Sequence, residues 1–200
     1  MSSLEQILKN NNIDKQSTAL FLCDMQEKFR PAIFKFEEII HLNSTMSNIV
    51  DIELLTGVLQ NKHKGQKLIF TNGCFDILHR GHLEYLLQAS SLGHKLIIGL
   101  NSDESVSRLK GPSRPVNKIE DRAFALASLR CVDLVVPFGE DTPFELIEFL
   151  QPNVLVKGGD YTIDGIVGAK ETLQRGGSVE VLMFKDGYST TSLIEKMKKG

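Results

Sequence analysis

Leu68-Ile69-Phe70-Thr71-Asn72-Gly73-Cys74-Phe75-Asp76-Ile77-Leu78-His79-Arg80-Gly81-His82-Leu83-Glu84-Tyr85-Leu86-Leu87 is the stretch on which the fold of this chain turns. A short apolar run passes through a glycine-bearing turn into helical periodicity, so a strand feeds a helix. Two histidines three residues apart, with Gly81 between them, stand at that junction. A helix start carries unpaired backbone N–H groups and the positive end of the helix dipole. Two imidazoles placed there therefore make a phosphate-holding end. The pattern alone also describes two solvated loop histidines; its position after a strand and before a helix favours the phosphate site.

From about residue 66 onward, short β-rich runs alternate with amphipathic stretches. Strands are expected at 67–71, 96–100, 134–137, 154–156 and 179–184. Helices are expected near 81–92, 118–130, 143–150, 165–175 and 190–198. The strands read as continuous apolar runs, as they do when helices cover both faces of a sheet. This alternation predicts right-handed crossovers and an α/β, doubly wound parallel sheet of Rossmann-like type. Thr142-Pro143-Phe144-Glu145 reads as a capping box with proline at the first helical position. Gly93 and Gly176-Gly177 read as left-handed helix ends. The loop Gly111-Pro112-Ser113-Arg114-Pro115, flanked by Lys110, is either a connector or a mobile phosphate-covering flap. The first 60 residues differ. Ala19-Leu20-Phe21-Leu22-Cys23-Asp24 reads as a buried strand, followed by a helical stretch to about Met46. Two domains are expected: an N-terminal strand-helix extension at 1–47 and the main domain at 48–200.

Bulk properties narrow the function. The chain has 200 residues, 42% hydrophobic and 24% charged, as in an ordinary soluble globular protein. A net charge of −2 gives no support for nucleic-acid or membrane-surface binding. No apolar stretch approaches a bilayer span and no signal-peptide core is visible, so a cytoplasmic location is expected. Three scattered cysteines, Cys23, Cys74 and Cys131, suit reduced thiols. Cys74 reads as a small wall residue rather than a nucleophile.

Two familiar phosphate binders are missing: no G-x-G-x-x-G follows the first core strand, and no G-x-x-x-x-G-K-[ST] occurs. His79 and His82 offer another solution, as donors toward charge developing on a transferred phosphate. A second helix start, Gly187-Tyr188-Ser189-Thr190-Thr191-Ser192, carries four consecutive hydroxyl residues where a cap needs one. The surplus fits a cradle for terminal phosphates. Asn101-Ser102-Asp103 and Lys157-Gly158-Gly159-Asp160 follow strands at the carboxyl edge, where open α/β sheets bind ligands. On its residues alone Arg122 is evenly balanced between solvated helix surface and a functional contact.

Residues 71–82 resemble the H-x-G-H signature of the nucleotidyltransferase superfamily. Leu109-Lys110-Gly111-Pro112-Ser113-Arg114-Pro115, Glu120-Asp121-Arg122, Val156-Lys157-Gly158-Gly159-Asp160-Tyr161 and Gly187-Tyr188-Ser189-Thr190-Thr191 narrow the likeness. Together they resemble the D-glycero-β-D-manno-heptose 1-phosphate adenylyltransferase family, from about Ile49 to the C-terminus. That resemblance implies adenylyl transfer from ATP to a sugar 1-phosphate, with Mg²⁺ held mainly by phosphate oxygens. It implies catalytic roles for His79, His82 and Lys110. It implies substrate contacts at Asn72, Gly73, Cys74, Phe75, Asp76, Gly81, Asn101, Arg114, Arg122, Gly158, Gly159, Asp160, Ser189, Thr190 and Thr191. Family members are commonly multimeric, which makes a homodimer the partner to test for. Residues 18–33 separately resemble the first strand and helix of isochorismatase-like hydrolases. No matching lysine or nucleophile accompanies them, so a fused remnant or gene-model junction near 47–50 is expected rather than hydrolase activity. Two rival functions remain: a cytidylyltransferase acting on a polyol phosphate, and a catalytically silent nucleotide-binding subunit.

Overall fold

The computed structural model describes residues 65–159, 161–183 and 187–199. The strand and helix expected before residue 47, the hydrolase-like stretch and the 47/48 boundary lie outside them. The apolar runs form β1 (Leu68–Gly73), β2 (Lys95–Asn101), β3 (Leu134–Phe138), β4 (Val154–Gly158) and β5 (Ser178–Leu182). They pair in parallel in the order β3-β2-β1-β4-β5. The helices are α1 (Arg80–Ser90), α2 (Asp103–Lys110), α3 (Ile119–Ala127), α4 (Phe144–Leu150), α5 (Ala169–Gln174) and α6 (Thr190–Lys199), with a 3₁₀ turn at Ile163–Gly165. This is the doubly wound arrangement.

The chain works outward from β1 to β2 and β3 on one side, then returns to β4 and β5 on the other. Strand order therefore reverses between β1 and β4. A crevice opens at such a reversal beyond the carboxyl ends of the strands. Register keeps those ends level, with Leu68 opposite Lys95 and Gly73 opposite Leu100. Burial explains why the strands read as unbroken apolar runs. Ile69, Phe70, Ile97, Ile98, Leu134 and Val135 are all sealed from solvent. On one face, Tyr85, Leu86 and Ala89 of α1 and Ala123, Leu126 and Ala127 of α3 pack with Ile69, Ile98 and Val154. Each fully buried aliphatic side chain contributes about 1.5–3 kcal/mol by leaving water.

Three expectations need correction. Helix α2 was not anticipated, because it buries only Ser105 and Val106 and so has almost no apolar stripe. Capping holds it instead: Ser102 accepts from the Ser105 N–H at 3.1 Å, with Asp103 and Glu104 in the first turn and Arg108 and Lys110 in the last. Gly93 is not a left-handed cap. Helix α1 ends on Ser91 with ordinary right-handed backbone, and the residues with positive φ do not include Gly93. It is glycine because a Cβ there would lie 2.7 Å from Ile69 Cδ1 and 3.0 Å from the Lys67 carbonyl oxygen. Lastly, the Thr142–Glu145 capping box does not form. Pro143 is itself the cap residue of α4, without a side-chain cap bond. Gly176, by contrast, has φ +79°, as expected of a left-handed helix end.

Candidate active site

Beyond the end of β1 the chain turns sharply. Phe75 has φ +43°, a left-handed conformation that a bulky residue adopts only at a cost. Packing holds it there. Phe75 is almost wholly buried, and its ring meets the His82 ring edge-on at 5.3 Å. A Cβ on residue 73 would lie 3.0 Å from that ring, so Gly73 makes room for it.

The turn delivers both histidines to the start of α1. His79 is the cap residue, its Nδ1 accepting the His82 N–H at 3.3 Å. The two rings stack with centroids 3.8 Å apart and planes 17° from parallel. His82 is the more enclosed. Burial, then the neighbouring His79 charge, pushes its pKa down to about 4, against a weaker opposing pull from the Ile77 carbonyl. Burial lowers His79 in the same direction. Both rings are therefore neutral at pH 7. His82 Nδ1 is buried with no hydrogen-bond partner among the described residues.

A pH prediction follows from the same shift. Above pH 6.5 the His82 ring is neutral both folded and unfolded. As pH falls from 6.5 toward 4, the unfolded ring takes a proton and the folded one does not, so stability is lost across that window. Between pH 7 and pH 5 the loss from this one group is about 2 kcal/mol. Urea unfolding of the wild type and His82→Gln at both pH values should show the variant losing less stability, by that amount. Equal losses would contradict the assignment.

The last helix meets this motif directly. A Cβ on Gly81 would lie 3.1 Å from both His79 Nδ1 and Tyr188 Cβ, so glycine lets the turn before α6 close onto the helix start. The Tyr188 ring lies 6.4 Å from His79, and Thr190 Oγ1 donates to the Ile77 carbonyl at 3.4 Å. Ser189 caps α6 by accepting the Ser192 N–H at 3.1 Å, and its hydroxyl also donates to Ser192 Oγ. Two helix N-termini, one bearing imidazoles and one bearing hydroxyls, thus face a common cleft of about 640 Å³.

That cleft gathers most of the residues singled out in the sequence. His79, His82, Ser189, Thr190 and Thr191 line it with Asn72, Gly73, Cys74, Phe75 and Asp76 from the β1 turn. Asn101, Lys110, Arg114 and Gly158 complete the set. Burial pushes the Cys74 thiol up, with the cations Lys110, Arg122 and Arg114 only partly offsetting it. Cys74 is thus a protonated wall residue rather than a nucleophile.

The basic loop is tied down. Asp76 is buried; it accepts from Arg114 Nε at 2.5 Å and from the backbone N–H groups of Val116 (2.8 Å) and Asn117 (2.9 Å). Burial by itself would raise its carboxyl. The Asn117 and Val116 amides and the Arg114 guanidinium outweigh that and hold it below the usual carboxylate range. Asn117 Nδ2 also donates to the Asp76 carbonyl at 2.6 Å. The residues after Gly111 are therefore anchored to the H-x-G-H turn, which argues against a freely moving flap. Arg114 reaches the cleft already paired.

Arg122 requires a larger correction. It is neither solvated surface nor a wall of the cleft: its side chain is fully buried. NH1 donates to the carbonyls of Cys74 (2.7 Å) and Asn101 (2.9 Å), NH2 to Asp103 (2.7 Å) and Nε to the Asn117 carbonyl (3.1 Å). These partners take four of the five guanidinium N–H donors, and the side chain sits behind the cleft rather than on its wall. Gly81 and Gly159 also lie behind the wall rather than on it. Gly159 has φ +111° and its N–H donates to the Leu182 carbonyl at 3.0 Å, so it serves the turn after β4. Asp160 lies outside the described residues.

Several wall residues were not singled out, among them Lys157, Tyr161 and Tyr188 inside quoted motifs, and Asp141 and Thr142 after β3. The lysine stands at the carboxyl edge of a core strand, a signal that was available in the sequence. The β3 loop carried no such signal. Among the described residues, no group of three His, Cys, Asp or Glu side chains is placed to hold a metal ion, and no helix is long and apolar enough to cross a membrane.

Comparison with known proteins supplies relatives. A family model described as cytidylyltransferase-like matches residues 70–196. The bifunctional protein HldE of Shewanella loihica is 53% identical over 157 residues, covering 78% of this chain and 33% of that protein. Its namesake in Helicobacter pylori is 49% identical over 176 residues, covering 86% and 36%. The chain thus spans about a third of the length of these relatives. Among solved structures, a pantoate-beta-alanine ligase from Francisella tularensis, complexed with beta-gamma ATP and beta-alanine, superimposes with a TM-score of 0.50 at 16% identity. It covers 76% of this chain and 77% of the ligase, a likeness of fold.

Proposed function

The chain belongs to the cytidylyltransferase-like family, and on that premise we propose that it transfers the AMP moiety of ATP to D-glycero-β-D-manno-heptose 1-phosphate, giving ADP-heptose and pyrophosphate. An oxygen of the sugar phosphate attacks the α-phosphorus of ATP, and the bond from that phosphorus to the α–β bridging oxygen breaks. The electron pair leaves with pyrophosphate. The attacking oxygen is already ionised at neutral pH, so the step requires no general base and no covalent enzyme intermediate. Catalysis reduces to in-line positioning and to stabilising charge around the α-phosphorus.

The observation that carries this reading is the convergence of His79 and His82 with Ser189, Thr190 and Thr191 on one cleft. Helix N-termini of this kind suit a polyphosphate. In the proposed arrangement the imidazoles face the α–β bridge and the Ser-Thr-Thr run holds the outer phosphates. Lys110 approaches from the rim, and Gly158 and Tyr161 line the nucleoside side. Mg²⁺ would supply further charge neutralisation. With the Asp76 carboxylate spent on Arg114 and two amides, and Asp141 paired with Arg108, this cleft fits an ion carried in on phosphate oxygens better than one caged by side chains. The motif likeness to heptose 1-phosphate adenylyltransferases supports the choice of acceptor. The reading places the protein in the cytoplasm, with a homodimer as its expected assembly.

Pyrophosphate release measured with ATP and CTP in turn, each with heptose 1-phosphate and with a polyol phosphate, tests the proposal. ATP with the heptose phosphate should exceed every other pair. Preference for CTP with the polyol phosphate would replace the reading with a cytidylyltransferase. No release from any pair would leave a nucleotide-binding subunit.

A further inference from the structure

The cations around the cleft are unequally committed. Arg114 is paired with Asp76, Arg122 is consumed by Asp103 and three carbonyls, and Arg108 outside the rim is paired with Asp141. Lys110 and Lys157 line the cleft with no ion pair among the described residues. Lys110 is exposed at the end of α2, whereas Lys157 is half-buried at the end of β4. Its Nζ donates to Asn72 Oδ1 at 3.1 Å and lies 5.8 Å from the centroid of the Tyr161 ring. Desolvation lowers its pKa, so the fold spends stability to keep an amine there.

Its location separates it from the imidazoles. The histidines and the hydroxyl run stand at the N-termini of α1 and α6. Lys157 and Asn72 stand on the ends of β4 and β1, the two strands between which the sheet order reverses. The proposed reaction brings two anions into one cleft, and the helix ends are matched to the longer one. We infer that Lys157, oriented by Asn72, forms a second anion subsite at the β1–β4 junction that takes the phosphate of the acceptor. This inference rests on the acceptor reading above. The ammonium has two further N–H donors for phosphate oxygens, while Asn72 fixes its direction from the side. Holding the phosphate there draws the nucleophilic oxygen toward the α-phosphorus and leaves the polyphosphate of ATP to the helix ends.

Steady-state pyrophosphate release by the wild type, Lys157→Gln and Lys157→Arg tests it. Lys157→Gln should raise the KM for heptose 1-phosphate at least tenfold while the KM for ATP stays within twofold, and Lys157→Arg should recover most of the loss. An unchanged acceptor KM, or an ATP KM that rises as much, overturns the inference. Should the wild type release no pyrophosphate with this acceptor, the reaction reading fails and a second measurement decides the subsite alone. Calorimetric titration of inorganic phosphate into protein saturated with α,β-methylene-ATP should then show at least tenfold weaker binding in Lys157→Gln. Equal binding in the two proteins, or none to the wild type, overturns it.

Discussion

Replacing His82 with alanine lowers turnover by about a hundredfold or more, the scale of losing one preorganised donor at a developing charge. The ring is set in place before substrate arrives. It stacks on His79 at 3.8 Å, Phe75 meets it edge-on, and its Nδ1 is enclosed without a partner among the described residues. Its neutral state matters as much as its position. With a pKa near 4 the free protein carries no charge there at pH 7, so the ring is unpaired with any carboxylate when phosphate enters. At pH 7 the ring is neutral folded and unfolded, so its titration adds nothing to stability there, and the loss of kcat should far exceed what the lost ring contacts cost in stability. Pyrophosphate release at saturating substrates, together with a urea midpoint, checks both halves. Turnover near that of the wild type would take His82 out of the chemistry.

Arg122→Ala has its largest effect on folding. Removing one member of a buried, hydrogen-bonded charge pair costs about 3–5 kcal/mol. Here the loss would leave Asp103 with only Lys118, at 3.8 Å, and would strand the carbonyls of Cys74, Asn101 and Asn117. A drop of that size in the urea unfolding free energy is expected, with the KM for ATP changed little in the fraction that remains folded. A phosphate ligand would give the opposite split: a raised KM for ATP and a small stability cost. Arg122→Lys should recover only part of the loss, because an ammonium cannot reproduce the planar fork that reaches four partners.

The difference between these two residues shows how much of the site was legible in the chain. His82 announced itself locally, through a strand, a turn and a helix start within twenty residues. The sheet was legible for the same reason, since unbroken apolar runs such as Leu96 to Leu100 record burial on both faces. Arg122 was not. Its partners lie 48, 21, 19 and 5 positions away, and no helical periodicity carries that information. The tethered loop after Gly111 was ambiguous in the same way, because Asp76, which anchors it, lies about forty positions earlier. Helix α2 escaped notice because polar capping rather than an apolar stripe specifies it. Gly93 carried a correct signal that was assigned to the wrong cause: close approach of Ile69 and Lys67 rather than a positive φ.

The closure of Tyr188 and Thr190 onto the turn around Gly81 has a consequence for biosynthesis. Thr190 reaches Ile77 across 113 positions of chain, so the H-x-G-H turn waits for α6 to be made. A nascent chain that has emerged only as far as β5 holds every strand of the sheet but one of the two helix ends that would grip a polyphosphate. Such late, long-range closure raises contact order at one spot and puts substrate binding after the sheet in the order of assembly. Affinity for a polyphosphate should therefore develop only once α6 has been made and has folded back.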